Sequence, residues 1–406
     1  MGSVYKIPHY LGGFIVILSI NSVPYGSTAK IMFGISEVLN KEGIENIVSS
    51  GYSYHPIEMP ENYIKIGSAL DKSLHIFLSR ITGLHGCFSY FSTLNLLRKI
   101  KKMGVDTIHL HNLHGWYINL PLLFKFIKKN NIKVIWTLHD CGAFTGHCPY
   151  YDMVGCEKWK TECRNCSQYK GYPKTFFDGS KKMFTLKKKW FLGLSDLTIV
   201  TPSNWLAEQV KQSFLKDYPI KVINNGIDLL VFKPRQSDFR EKYSLEDKRI
   251  ILGVSYDWTE KKGIDVFLKL AEKLPENYKI VLVGTDKKFD NILSIGVTQN
   301  VRELAEIYSA SDLFVNPTRE DTFPTVNIEA LACGTPVLTF NTGGSAEIID
   351  ESCGAVVPKN DIDAFFNKII EITQDKPLSS ENCTKRAEEF EQKKKFKEYL
   401  EIYKKG

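Results

Sequence analysis

The chain has 406 residues, of which 43% are hydrophobic and 24% are charged, and its formal net charge is +7. This length exceeds that of one typical domain and predicts two or three. The modest positive charge suits anionic ligands or an anionic membrane surface, and it does not indicate a nucleic-acid partner. No apolar run reaches the roughly 18 residues of a membrane span. The stretch at 12–20 is interpreted as a buried strand of a cytoplasmic protein.

Short apolar runs alternate with helical patterns along the whole chain. Because most runs are continuously apolar, they predict parallel strands that helices cover on both faces. The predicted strands are 14–21, 44–50, 106–112, 133–140, 197–203, 221–227, 249–255, 278–284, 312–318 and 336–342. A proline and many charges interrupt the series at 228–246. We therefore predict two α/β domains of βα repeats at 1–228 and 229–381. A charged helix at 382–406 should follow them and pack back on the first domain.

Ligand-binding signals in the first half follow predicted strands. Gly26 and Ser27 lie in a strand-to-helix turn, where backbone amides can approach a ligand. Two further strands end in histidine-containing motifs, at the edge where doubly wound folds bind ligands. These motifs supply the candidate ligand-binding residues His111, Asn112, His139 and Asp140. A purely structural role for the histidines is the alternative.

A cysteine-rich insertion is predicted at about 141–180. Cys148, Cys156, Cys163 and Cys166 end in a Cys-x2-Cys pair, and four thiolates can form a closed structural zinc site. A disulfide set is disfavoured in a reducing compartment, and unligated cysteines that pack a loop remain the alternative. The following segment, 181–194, carries five lysines and an apolar stripe. It predicts either an amphipathic helix on anionic lipid or a helix packed on its own sheet.

The densest chemistry lies at 316–349. Pro324 fits the first turn of a helix, Thr322 is a candidate cap, and Gly334 fits the left-handed position after its end. A helix start attracts phosphate, and Asp321 stands just before it. Glu329 lies inside the helix, where helix stabilisation does not explain a carboxylate.

The segment Asp321–Val337 resembles the donor-site signature of glycosyltransferase family 4, in which two acids are separated by seven residues. The segments 136–148, 155–166, 201–215 and 223–228 strengthen the likeness and resemble the subgroup that makes colanic acid and capsule polysaccharides. The resemblance implies the GT-B architecture, which is two Rossmann-like domains facing across a cleft. It also implies a retaining reaction that needs no catalytic metal.

Residue roles follow from the same resemblance. Asp321, or Glu320 if the register shifts by one, would hold the transferred sugar, and Glu329 would hold the ribose. Lys262, in a Lys-Gly element at 259–265, would clamp the pyrophosphate, with Lys261 as its companion. Main-chain contacts to the donor are assigned to Thr322, Phe323 and Thr325, and Gly26, Ser27 and Val326 complete the donor set. The catalytic set comprises Asp321, Glu329, Lys262 and His139. The strand-end residues His111, Asn112, His139 and Asp140 would bind the acceptor.

The sequence therefore predicts a retaining glycosyltransferase. It would move a sugar from a nucleotide-sugar, preferably a UDP-sugar, to a glycan acceptor on a lipid carrier in surface polysaccharide biosynthesis. Peripheral contact with an anionic membrane is part of this interpretation. A GT-B nucleotide-sugar 2-epimerase and a non-catalytic sugar-nucleotide-binding scaffold on the membrane are the alternatives.

Overall fold

Two all-parallel sheets organise the chain in the computed structural model, which describes residues 15–54, 58–375 and 378–404. The first sheet has the strand order β3-β2-β1-β4-β5-β6-β7. Its strands are β1 Ile17–Asn21, β2 Asn46–Gly51, β3 Tyr63–Ile66, β4 Thr107–Leu110, β5 Lys133–Thr137, β6 Leu197–Thr201 and β7 Ile220–Val222. Its helices are α1 Gly26–Lys41, α2 Ala69–Thr82, α3 Tyr90–Met103, α4 Leu120–Asn130, α5 Ser180–Phe191 and α6 Asn204–Lys211.

The second sheet has the order β10-β9-β8-β11-β12-β13. Its strands are β8 Arg249–Val254, β9 Tyr278–Val283, β10 Ile292–Ile295, β11 Leu313–Asn316, β12 Val337–Phe340 and β13 Gly354–Val357. The remaining helices are α7 Phe239–Lys242, α8 Ile264–Lys273, α9 Val301–Ser309, α10 Thr325–Ala332, α11 Ser345–Ile348, α12 Ile362–Ile370, α13 Ser380–Ala387 and α14 Gln392–Lys404. Strands and helices alternate as predicted, so each parallel sheet belongs to an α/β domain.

All ten predicted strands are present, although the first residue of the first one, Phe14, lies outside the described residues. The prediction missed β3, β10 and β13, which are three of the four edge strands; the fourth edge strand, β7, was predicted. Edge strands pair on one side only and are partly exposed, so they lack the continuous apolar run that marks a central parallel strand.

The last helix, α14, returns to the first sheet. The hydroxyl of Tyr403 lies 2.6 Å from Nδ1 of His109, and that of Tyr399 lies 3.1 Å from Oγ1 of Thr137. Phe396 packs so closely on α1 that a Cβ at Gly34 would lie 2.2 Å from its ring. The C-terminal segment therefore crosses from the second sheet to the first and completes the core of the first.

Helix α5 does not present its apolar stripe to solvent. Met183, Phe184 and Phe191 are buried, and Phe191 packs edge-on against Trp136 of β5 with ring centroids 4.8 Å apart. Of the two predictions for segment 181–194, lipid contact through this stripe is wrong, and packing on its own sheet is confirmed. In the described part of the chain, no helix is long and apolar enough to cross a membrane.

Candidate active site

A cleft opens where the two sheets face each other with the carboxyl ends of their strands. In the first sheet, the strand order reverses between β1 and β4, and in the second between β8 and β11. Such switch points leave a crevice, because the connections on either side run in opposite directions. The cleft has a volume of ≈ 430 Å³, and Ser27, Asn112 and His139 line one wall. The opposite wall includes Lys262 and the segment Asp321–Val326.

Asp321 and Lys262 meet inside this cleft. Nζ of Lys262 lies 2.9 Å from Oδ2 of Asp321, and the other carboxylate oxygen of Asp321 accepts a hydrogen bond from the backbone N–H of Phe323 at 3.3 Å. Among the described residues that line the cleft, Lys262 is the only lysine or arginine. In the absence of a ligand, this cation and this acid pair with each other. When a ligand binds, the cation can pair with a phosphate and the acid can accept a hydrogen bond from a sugar hydroxyl.

The neighbouring pair, Glu320 and Lys261, lies outside the cleft. Glu320 is buried, and its carboxylate accepts from Lys261 at 2.8 Å and from the backbone N–H of Met153 at 3.1 Å. Because Met153 belongs to the cysteine-rich insertion, this pair connects the two halves of the chain. Of the two candidate first acids of the signature, Asp321 lines the cleft, whereas Glu320 and its partner Lys261 do not.

The start of α10 faces the cleft with its amide groups uncapped by any side chain. Thr325 and Val326 form its first turn and line the cleft, with Thr322 and Phe323 just before them. The prediction of Thr322 as the cap is wrong. Its hydroxyl instead donates to the carbonyl oxygen of His139 at 2.8 Å, which connects the segment before α10 to the end of β5. The free helix start is suited to an anion.

Glu329 lies one turn further along α10, in an adjoining cavity of ≈ 510 Å³ that shares Ser27 and Thr325 with the cleft and also includes Gly26. Its carboxylate accepts a hydrogen bond from the hydroxyl of Tyr308 at 3.3 Å. Burial raises the pKa of Glu329, while Lys30 and the hydroxyl donors oppose that rise. A sheltered carboxylate with one oxygen free of Tyr308 is suited to accepting hydrogen bonds from a diol.

Arg319 holds the lysine-bearing loop against the acidic loop. Its guanidinium makes a bidentate pair with Asp265, at 2.7 and 2.8 Å, and its backbone N–H donates to the carbonyl of Lys261 at 2.8 Å. Gly263 has φ +78°, and a Cβ there would lie 2.5 Å from Pro317. Only glycine allows this approach, so the local geometry of Lys262 depends on both residues.

Gly343 and Gly344 do not line the cleft, but they pack against the backbone of the segment that carries Asp321. A Cβ on Gly343 would lie 1.6 Å from the carbonyl oxygen of Asp321, and one on Gly344 would lie 2.2 Å from that of Thr322. In the same segment, the Glu347 carboxylate accepts backbone N–H bonds at the start of α6, at 2.6 and 2.8 Å. This segment therefore positions the acid loop and contacts the first sheet's layer.

His111 and His139 form a buried stack, which we call the histidine ladder. Nδ1 of His111 lies 3.0 Å from Nε2 of His139, and their rings stack. Burial lowers the pKa of His139 to about 4 and that of His111 well below its ordinary value, so both are neutral at pH 7. His139 and Asn112 line the cleft, whereas His111 lines only the next cavity inward. His139 is therefore the histidine of this pair that borders the cleft.

Asp140 also borders both cavities, and it is paired with His114, a residue that the sequence analysis did not select. Nε2 of His114 lies 2.7 Å from Oδ2 of Asp140, and its Nδ1 lies 2.9 Å from the hydroxyl of Tyr172. Burial favours a higher pKa for Asp140, but His114 and the N–H of Gly142 outweigh it and lower the pKa. His114 lies three residues beyond His111 in the same motif, so its position was the available signal.

Other cleft residues carried a weaker sequence signal. Tyr256 and Trp258 follow β8 directly, and Asn225 and Tyr150 enter from the connection between the sheets and from the insertion. The strand-end rule that selected His139 also applies to Tyr256 and Trp258. Tyr150 lies in an irregular loop, and only the fold brings it to the cleft.

The four predicted zinc ligands line one small cavity in the insertion, together with Trp159. The thiols of Cys148 and Cys166 are hydrogen-bonded to each other, which raises the pKa of Cys148 and lowers that of Cys166 to about 7. The backbone N–H of Gly146 donates to Sγ of Cys163 at 3.1 Å. Within the described ranges, no three His, Cys, Asp or Glu side chains are arranged to hold a metal ion.

Relatives of the chain are known from sequence. It is 26% identical over 273 residues to WcaC of Escherichia coli K12, assigned as a colanic acid biosynthesis glycosyl transferase, covering 64% of this chain and 65% of WcaC. It is 29% identical over 198 residues to the Escherichia coli UDP-Gal:alpha-D-GlcNAc-diphosphoundecaprenol alpha-1,3-galactosyltransferase, covering 43% of this chain and 51% of that enzyme. The alignments thus span between half and two thirds of these two relatives.

Solved structures share the fold over nearly the whole chain. Sucrose-phosphate synthase from Thermosynechococcus elongatus superimposes with a TM-score of 0.71 at 20% identity, covering 96% of this chain and 98% of that one. HepE from Anabaena, solved in complex with UDP-glucose, superimposes with a TM-score of 0.64 at 13% identity, covering 96% and 99%. The two-sheet arrangement is therefore the GT-B architecture.

Family models match both halves of the chain. The model of Glycosyltransferase Family 4 matches residues 64–230, and that of Glycosyl transferases group 1 matches residues 235–390. The first match contains the histidine ladder, and the second contains Lys262, Asp321 and Glu329. The chain therefore belongs to the family 4-like glycosyltransferases of GT-B fold. Within them, it resembles the members assigned to colanic acid biosynthesis.

Proposed function

We propose that this protein transfers a sugar from a UDP-sugar to a hydroxyl of a lipid-linked glycan, with retention of configuration, in the biosynthesis of a bacterial surface polysaccharide. The observation that carries the proposal is the convergence of Lys262, Asp321 and the uncapped start of α10 on one wall of the cleft. A cation and free amides beside an acid match a donor with a diphosphate next to sugar hydroxyls.

In the proposed reaction, the bond between the anomeric carbon and the β-phosphate oxygen breaks, and the diphosphate leaves with both bonding electrons. Lys262 and the amides of Thr325 and Val326 stabilise the charge that develops on this leaving group, which is electrostatic catalysis. The acceptor oxygen attacks from the same face, and its proton passes to the departing phosphate. Asp321 orients the sugar by accepting hydrogen bonds from its hydroxyls.

His139 and Asn112 lie on the wall opposite Lys262, where the acceptor hydroxyl would enter. Because His139 is neutral and its Nε2 interacts with His111, its role is positional: it shapes the acceptor side and fixes Thr322 through its carbonyl oxygen. Asp140, lowered in pKa by His114, stays ionised and can accept hydrogen bonds from acceptor hydroxyls.

A uridine donor is supported by two similar proteins. One is a UDP-Gal-dependent galactosyltransferase, and the other, HepE, was solved in complex with UDP-glucose. Thermal-shift measurements with UDP, GDP and inorganic pyrophosphate test this. A ligand at a hundred times its Kd stabilises the folded state by about 2.7 kcal/mol. We expect UDP to raise the melting temperature well above any effect of GDP, whereas a larger shift with GDP would contradict the uridine assignment.

We also propose that Cys148, Cys156, Cys163 and Cys166 bind a structural zinc ion. Their shared cavity and the N–H donors to Cys163 and Cys166 support it, because such hydrogen bonds favour the thiolate that zinc requires. Metal analysis of the purified chain should find about one zinc per molecule. Replacing Cys163 and Cys166 together by Ser should remove the zinc and lower the melting temperature, whereas Cys87→Ser should change neither. Protein that is fully folded without zinc would refute this proposal.

A further inference from the structure

Helix α2 is amphipathic, but its apolar side faces solvent and its polar side is buried. Its buried residues are His75 and Ser79, whereas Leu70, Leu74, Phe77 and Ile81 are exposed by 82, 56, 58 and 40%. The spacing of these four residues by four, three and four positions places them on one face of the helix. A surface helix of a soluble domain ordinarily turns such a stripe inward, so this stripe is available to an external apolar partner.

Two exposed aromatic side chains lie beside the end of the stripe. Phe176 and Phe177 are exposed by 56 and 65%, and the N–H of Phe176 donates to the carbonyl of Arg80 at 2.9 Å, beside the end of α2. We call the combined surface the α2 face, comprising Leu70, Leu74, Phe77, Ile81, Phe176 and Phe177.

The two segments that carry the α2 face have a net positive charge. Segment 170–182 carries four lysines and one aspartate, and segment 65–91 carries two lysines and one arginine against one aspartate. Arg80, Lys174 and Lys182 are exposed. A surface that combines apolar and aromatic side chains with cations is complementary to an anionic bilayer. The apolar groups can enter the acyl region while the cations bind lipid phosphates.

Two segments that adjoin the α2 face also line the cavity beside the cleft. His85 and Gly86, from the turn between α2 and α3, line the cavity that contains His139 and Asp140. Tyr172 and Pro173, a few residues before Phe176, line the same cavity. A bilayer beneath this face would therefore lie on the side of the protein from which these segments reach the inner cavity.

We propose that the α2 face docks on an anionic lipid bilayer and presents a lipid-linked acceptor to the cleft. The docking step rests on the exposed stripe and its charges, and the presentation of acceptor rests on the proposed function. This surface is distinct from α5, whose apolar stripe is buried.

Co-sedimentation of the full chain with vesicles tests the docking step. We expect binding to equimolar phosphatidylcholine and phosphatidylglycerol vesicles, much weaker binding to phosphatidylcholine alone, and loss of binding at high salt. Leu74→Glu with Phe77→Glu should weaken vesicle binding by about a hundred-fold, since two apolar side chains leave the bilayer. Leu230→Glu with Val297→Glu, exposed apolar residues on the second sheet's layer, is the matched control and should bind like the wild type.

The UDP-induced thermal shift of the Leu74/Phe77 variant should equal that of the wild type, which shows an intact fold and separates docking from donor binding. Unchanged vesicle binding by this variant, or no binding by the wild type, would overturn the proposal. A dimeric wild type that the variant turns monomeric, without vesicle binding, would assign the face to self-association instead. Vesicle binding without a UDP shift would leave docking intact and contradict the proposed donor.

Discussion

Replacing Lys262 by Ala is expected to lower kcat for sugar transfer by about 100- to 1000-fold, the usual cost of losing one preorganised group that stabilises transition-state charge. Among described cleft residues it is the sole lysine or arginine, so no other cleft residue supplies a permanent positive charge. Its partner without ligand is Asp321 at 2.9 Å, and Lys262→Ala leaves that carboxylate unpaired next to the incoming diphosphate. Initial rates at saturating donor and acceptor measure this effect.

Lys261→Ala is the matched control, because it removes the same charge one residue away. Lys261 pairs with buried Glu320 outside the cleft. We expect this variant to keep kcat within about threefold while losing about 1–3 kcal/mol of stability, since a buried carboxylate loses a partner. If Lys261→Ala reduced kcat as much as Lys262→Ala, the assignment of the pyrophosphate clamp to Lys262 alone would be wrong.

The sequence predicted the sheets well because central parallel strands must be apolar on both faces. It missed β3, β10 and β13 because edge strands tolerate partial exposure. It could not choose between Glu320 and Asp321, which are adjacent and chemically alike. Only the fold shows that one is buried against Met153 while the other enters the cleft.

The lipid-contact prediction illustrates a different limit. Periodicity shows that a helix has an apolar stripe, but it does not show which way the stripe points. In α5 the stripe faces the sheet, and Phe191 packs on Trp136. In α2 the stripe faces out, because His75 and Ser79 occupy the inner side. Burial of polar groups depends on distant partners such as Ser89, which the local pattern does not reveal.

Glu329→Gln is expected to weaken UDP binding by about 10- to 100-fold. Hydrogen bonds to a charged group contribute about 1.5–3 kcal/mol, and each 1.4 kcal/mol is tenfold in Kd. The carboxylate lies in the cavity adjoining the diphosphate site, at the distance of one helical turn from Thr325, where the ribose would lie. Calorimetric titration with UDP measures the change, and Glu306→Gln, a surface acid on α9 paired with Arg302, is the control.

The pH dependence separates this role from a structural one. Burial raises the pKa of Glu329, so the folded state binds its proton more tightly than the unfolded chain does. Its contribution to stability is therefore present at low pH and is lost as the pH rises through the folded pKa. Glu329→Gln should then retain or raise the melting temperature of the ligand-free protein at neutral pH. In the wild type, UDP affinity should fall as the pH drops through that pKa, because a protonated carboxyl accepts hydrogen bonds poorly, whereas in Glu329→Gln this pH dependence should vanish. Equal UDP affinity in both proteins at neutral pH would place the ribose elsewhere.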